Sequence, residues 1–169
     1  MTSMSNMPPA STMLPTFALV LIAIFAGLLM PMQAAANRQM GKVLGQPLHG
    51  SMVNFVVGAL AIIIVLSYMR QTPSYEDLPK APWWSWLGGL MGVTFVTASI
   101  VLAPKIGAVP FFAAMVCGQM IASMALDATG WLNMPKSEIS WTRVLGVLLV
   151  IVGVLLTTRS ITAPVSTPV

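Results

Sequence analysis

The side chains able to do chemistry in this 169-residue chain are sparse, mostly uncharged, and set within otherwise apolar segments. Gln33 and Asn37 lie four positions apart, Ser51, Asn54 and Gly58 form a second stripe, and Gln119, Ser123 and Asp127 recur every four residues. Residues three or four apart share a face of a helix, so each set points its polar groups in one direction. In hydrocarbon such groups cost free energy unless they find partners or water. Two readings follow. Either the three stripes line one polar cavity that hydrogen-bonds a solute, or they bond helix to helix, at an average of about 0.6 kcal/mol per pair. Pro31, just before Gln33, frees a backbone carbonyl and bends the segment, which favours the cavity for Gln33 and Asn37. The candidate substrate-binding residues are therefore Gln33, Asn37, Asn54 and Gln119, with Asp127 fixing a helix end or gating one mouth.

Other chemistries lack their residues. There is one histidine and one cysteine, and no phosphate-cradling glycine loop between a strand and a helix. No catalytic constellation, cofactor motif or plausible set of metal ligands emerges, so an enzyme is not expected. His49 stands at the entrance to an apolar segment as an interfacial residue, and Cys117 lies within one as a packing residue. The net charge is +4, but the basic residues are scattered singly without interleaved aromatics, unlike a nucleic-acid-binding surface.

The elements that must position the polar stripes are membrane helices. With 57% hydrophobic residues, 7% charged residues and a mean hydropathy of +0.87, the chain is far from the roughly 25% charged residues of a soluble domain. The fold class is all-α, a polytopic bundle of five transmembrane helices. Hydrophobic runs place them at about 16–36, 48–69, 83–102, 109–126 and 141–158. A crossing needs about 20 residues, so the last two are short unless interfacial residues join them. Breaks are expected at 37–47, at 70–82, at a tight Pro104–Gly107 turn and at 127–140. Trp83, Trp84, Trp86, Trp131 and Trp141 cluster at these boundaries, where indoles favour the headgroup level. Residues 1–15 and 160–169 read as flexible tails around a membrane domain at 16–159. The first apolar run, followed by Ala34-Ala35-Ala36, has features of a signal peptide, but no Lys or Arg precedes it. It is expected to be retained as a helix.

Depth and charge refine the picture. Gln119 falls roughly 15 Å into the fourth helix, near the middle of a roughly 30 Å core, and Asp127 roughly 27 Å in, near the far interface. No carboxylate is expected at the midplane. Neutral or zwitterionic substrates, or passage without tight proton coupling, are therefore favoured over exchange on a central acid. Arg38, Lys42, Lys105 and Arg159 fall on one side of the membrane, and Arg70, Lys80, Lys136 and Arg143 on the other. The positive-inside rule returns a tie. One orientation wins for reasons outside this count, since all four acids lie on the second side, or the chain inserts both ways and opposite copies pair about an axis in the membrane plane.

Small residues mark close helix approach. Gly88 and Gly92 form one such face, and Ala114, Gly118 and Ala122 another. Gly58 lies in the second polar stripe, and Gly146 and Gly153 on the last helix mark packing or a subunit interface. The fourteen methionines read as pocket lining or as membrane filler.

Pro31-Met32-Gln33-Ala34-Ala35-Ala36-Asn37, Asn54-Phe55-Val56-Val57-Gly58, Gly88-Gly89-Leu90-Met91-Gly92, Cys117-Gly118-Gln119 and Leu126-Asp127-Ala128-Thr129-Gly130 occur in an order and spacing that resembles the YdcZ family. That family comprises short, five-helix bacterial inner-membrane proteins of the drug/metabolite transporter superfamily. The resemblance spans about 17–158. It implies a transporter-like bundle in the bacterial inner membrane, and single-copy members that insert with dual topology. Gln33, Asn37, Asn54, Gly118, Gln119 and Asp127 match its characteristic positions. The Met-, Ser- and Pro-containing leader departs from its usual short amino terminus. The function expected is secondary transport of a small metabolite or drug-like solute by alternating access. The partners expected are the bilayer and a second copy or an oppositely oriented paralogue. A non-transporting scaffold subunit is the alternative.

Overall fold

The computed structural model describes residues 15–70 and 75–159. The two expected tails fall almost wholly outside them. Among the described residues five helices are long and apolar enough to cross a membrane: α1 (Thr16–Val43), α2 (Pro47–Tyr68), α3 (Leu87–Ile106), α4 (Ala108–Thr129) and α5 (Trp141–Arg159). Short 3-10 turns at Leu78–Lys80, Trp83–Trp86 and Trp131–Asn133 join them. The chain divides into two compact units, at Gln33 and Ala34.

The first unit carries the amino-terminal part of α1, where Phe17, Phe25 and Leu28 are exposed. Pro31 sits inside this helix. A proline ring presses on the carbonyl four residues earlier and withholds a hydrogen bond from it. That residue is Gly27, with open space around its Cα. Lipid-spanning helices tolerate such a residue, so α1 continues through it.

The second unit, from Ala34 onward, departs from the sequence expectation at three helix ends. First, α1 does not stop at Ala36 but runs to Val43, through Asn37, Arg38, Gly41 and Lys42. Its 28 residues correspond to roughly 42 Å at 1.5 Å per residue, well over a roughly 30 Å core. Polar residues end a hydrophobic span without ending a helix, because the backbone bonds are internal to it. Second, the expected four-residue turn at Pro104–Gly107 shrinks to one residue. Pro104 lies in the last turn of α3, and Gly107 alone breaks the helix at φ +90°. Its N–H donates to the Ala103 carbonyl. Third, α4 extends to Thr129, a length of roughly 33 Å and a full crossing. Gly130, at φ +69°, caps it by donating its N–H to Leu126 in the left-handed geometry glycine adopts without steric cost.

Within this unit α2 packs on α3, α3 on α4, and α4 most extensively on α5. Val96, Ile100, Phe111 and Val147 are the buried apolar side chains among the described residues. Phe111 meets Phe112 edge to face, with ring centroids 5.2 Å apart. Most other apolar side chains face outward, as Ile64 and Leu149 do. Lipid tails are as apolar as leucine, so no hydrophobic force draws these groups inward. Ser99, Thr94 and Thr157 donate to the carbonyls of Val96, Leu90 and Val154 in their own helices. Trp83, Trp86, Trp131 and Trp141 stand exposed at helix ends, in keeping with interfacial anchoring.

Candidate functional site

The polar stripes resolve into two assemblies within the second unit. The first joins α1 and α2. The Asn54 side-chain amide donates to Asn37 Oδ1, and Asn37 is the most deeply buried large side chain among the described residues. Two glycines bring these helices together. A Cβ on Gly50 would collide with the Asn37 carbonyl and lie 2.5 Å from the Gly41 nitrogen. A Cβ on Gly41 would lie 2.7 Å from the Pro47 Cα. The hairpin between them turns at Gly45, φ +77°, and α2 opens on Pro47, whose missing N–H is not needed in a first turn. Ser51, on the Asn54 side of α2, is buried and its hydroxyl has no hydrogen-bond partner.

The second assembly lies between α4 and α5 and surrounds a cavity of about 400 Å³. From α4 it takes Val116, Gln119, Met120, Ser123, Met124 and Asp127, and from α5 Arg143, Gly146 and Val147. The α4 set repeats every three or four positions, one helical face. It covers roughly 17 Å of helix from Val116 to Asp127, and roughly 12 Å of that separates Gln119, near the middle of the helix, from Asp127 at its end. A Cβ on Gly146 would meet nothing within 4 Å, so this glycine leaves space where α5 would otherwise project a side chain. The volume falls in the range of about 300–1,000 Å³ typical of small-molecule sites.

The outer end of the cavity is charged. Arg143 Nη1 donates to Asp127 Oδ2 at 3.2 Å and to Ser137 Oγ at 2.8 Å. The Ser137 N–H in turn donates to the Asp127 carbonyl at 2.9 Å. Residues 130–140 are thereby folded back on the end of α4, with Leu132 and Asn133 at φ +57° and +59°. Ser140 accepts from the Arg143 N–H, starting α5. Both charged side chains keep substantial exposure, 51% for Arg143 and 38% for Asp127.

The expectation that three stripes line one cavity meets a more divided arrangement. Gln119 and Asp127 share the α4–α5 cavity, Asn37 and Asn54 bond each other across α1–α2, and neither asparagine lines that cavity. Gln33 is exposed on the first unit. Among the expected packing glycines, a Cβ at Gly58, Gly88, Gly118, Gly146 or Gly153 meets nothing within 4 Å, and one at Gly92 only the Phe55 ring edge at 4.0 Å. Within one chain the close approach belongs instead to Gly41 and Gly50. Sequence reasoning missed these two, and it missed Arg143 except as a charge. A charged residue in the first turn of an apolar helix, three before a glycine, was the available signal. A further hollow on α3, lined by Leu87, Leu90, Met91, Thr94 and Phe95, carries one hydroxyl, already bonded to Leu90. Among the described residues no three His, Cys, Asp or Glu side chains come together to hold a metal.

Comparison with known proteins places this arrangement. The family model described as "Putative inner membrane exporter, YdcZ" matches residues 18–156, which include both polar assemblies. The chain belongs to the YdcZ family. It is 28% identical over 109 residues to the inner membrane protein YdcZ of Escherichia coli K12, covering 64% of this chain and 72% of that one. No solved structure matches. Membership in the YdcZ family makes this a multi-pass protein of the bacterial inner membrane and a membrane transporter. YdcZ proteins are described as exporters rather than as an enzyme class. The cavity of this YdcZ-family chain lies wholly within the matched segment.

Proposed function

We propose that the chain is a secondary transporter that moves a small metabolite or drug-like solute by alternating access, as an antiparallel, dual-topology homodimer. The observation that carries the reading is the α4–α5 cavity, a largely apolar space into which Gln119, Ser123, Asp127 and Arg143 bring polar groups, reaching from the middle of an apolar helix pair to its charged end. A neutral amide at mid-membrane, Gln119, suits hydrogen bonding to a solute without the desolvation cost of a fixed charge. Asp127, paired with Arg143, stands where a gate would operate. Asn37 and Asn54 satisfy each other in this conformation. They contribute to solute binding once that bond opens. The orientation part of the proposal rests on the four-to-four division of basic residues, and the exposed, open glycines Gly58, Gly88 and Gly118 supply surface for a second copy.

Purified protein in liposomes, offered a panel of labelled small metabolites and lipophilic cations, is expected to give saturable flux of at least one of them. Gln119→Leu is expected to abolish that flux while leaving assembly intact on gel filtration. Flux unchanged in Gln119→Leu removes Gln119 from the path. Absence of any flux alongside stoichiometric co-purification of another membrane protein would replace transport with scaffolding.

A further inference from the structure

The α4–α5 cavity offers more than neutral hydrogen bonds. Its outer end holds one positive and one negative group side by side, with their charges 3.2 Å apart. The pair is only partly committed. Both bonds made by the Arg143 guanidinium use the same nitrogen, Nη1, so the edge formed by Nη2 and Nε is not engaged in them. Asp127 likewise uses Oδ2 toward Arg143, leaving Oδ1 as a further acceptor. Ser137 holds Nη1 from the loop side, which fixes the guanidinium plane at the mouth of the cavity. Deeper in, Val116, Met120, Met124 and Val147 make an apolar wall, with methionines able to adapt to different shapes.

Building on the transport reading above, we propose that this cavity binds a small zwitterion bearing an ammonium and a carboxylate on neighbouring atoms, with an apolar substituent: an apolar α-amino acid or a close analogue. The carboxylate takes the open edge of Arg143, whose planar fork matches it bidentately. The ammonium takes Asp127, and the apolar substituent lies against the Met and Val wall. A substrate with a single charge is disfavoured by the same geometry. A lone cation approaching Asp127 meets Arg143, and a lone anion approaching Arg143 meets Asp127. Only a ligand carrying both charges at similar spacing complements both groups at once. Arg143 is thus a specificity-determining residue in addition to its tie to the loop.

Equilibrium binding to the full chain in lipid nanodiscs separates this inference from transport itself. The probes are labelled L-leucine, its carboxylate-only analogue 4-methylpentanoate and its amine-only analogue 3-methylbutylamine. Leucine is expected to bind, and the two single-charge analogues to bind weaker by about tenfold or more, because a site built for a polar partner rejects a ligand lacking it. Arg143→Lys keeps the charge toward Asp127 but loses the fork, and is expected to weaken leucine binding by about tenfold or more without changing the gel-filtration profile. Gly146→Leu, which fills the cavity from open space and leaves both charges in place, is expected to abolish binding. The inference is overturned if the analogues bind as well as leucine, or if Arg143→Lys or Gly146→Leu binds leucine as wild type does. It is also overturned if some other solute is transported and leucine neither binds nor competes with it. Leucine binding that depends on Arg143, with no solute flux in liposomes, would uphold the site and overturn transport.

Discussion

Replacing Gly50 by alanine adds a single methyl, yet the structure makes it a severe change. That methyl would collide with the Asn37 carbonyl, and would lie 2.5 Å from the Gly41 nitrogen and 3.1 Å from the Asn37 carbonyl carbon. All three are helix backbone atoms and cannot rotate away as a side-chain tip can. Ordinary contacts need about 3.5 Å or more between carbons, so α1 and α2 must separate by about an ångström. Overpacking of this kind costs about 1–3 kcal/mol. The separation also stretches the Asn37–Asn54 bond, whose class averages about 0.6 kcal/mol between membrane helices. Alanine's better helix propensity returns about 1 kcal/mol. The net expectation is a loss of about 2 kcal/mol, roughly a 30-fold shift toward the unfolded state. Gly58→Ala is the matched control: the same substitution on the same helix, where a Cβ meets nothing within 4 Å. It should be neutral or stabilising by up to about 1 kcal/mol. Unfolding in bicelles, followed by tryptophan fluorescence or by reactivity of Cys117, measures both variants. Equal stability of Gly50→Ala and Gly58→Ala would refute the close α1–α2 contact and the reasoning built on it.

Asn54→Leu should cost about 1–2 kcal/mol by leaving the buried Asn37 amide without its partner, and a double-mutant cycle with Asn37→Leu should show the two losses to be less than additive. Ser51→Ala removes a buried hydroxyl that has no partner, so it is expected to be neutral or stabilising by up to about 1 kcal/mol in the same unfolding assay. Arg143→Gln should increase hydrogen exchange across residues 130–140, because the tie to Ser137 is lost, while global stability falls by less than about 1 kcal/mol for so exposed an ion pair. With Cys117 replaced by alanine and one cysteine placed at Asn133, impermeant thiol reagent should label part of the population from each side of sealed vesicles; labelling from one side alone would rule out dual topology.

What the sequence determined by itself is the inventory and its depth. Five apolar runs of crossing length specify five helices, since backbone polar groups in hydrocarbon must bond within the segment. The tryptophans mark helix ends, and periodicity puts Gln119, Ser123 and Asp127 on one face of α4. Helix ends were less legible. Nothing in Asn37–Val43 forbids a helix from continuing into the interface, and a proline in the last turn of α3 is tolerated where one in mid-helix is costly. Tertiary structure alone decided which stripes meet. A helix in soluble protein shows an apolar face that fixes its rotation about its axis, whereas these helices are apolar nearly all round. Without that signal, rotation is settled by local fit: backbone contact at Gly41 and Gly50, one amide pair at Asn37 and Asn54, and one ion pair at Asp127 and Arg143. Residues about 16 positions apart carry no local mark of such pairing. Arg143 therefore reads as a surface charge in the sequence and becomes the wall of a cavity only once α5 is laid against α4.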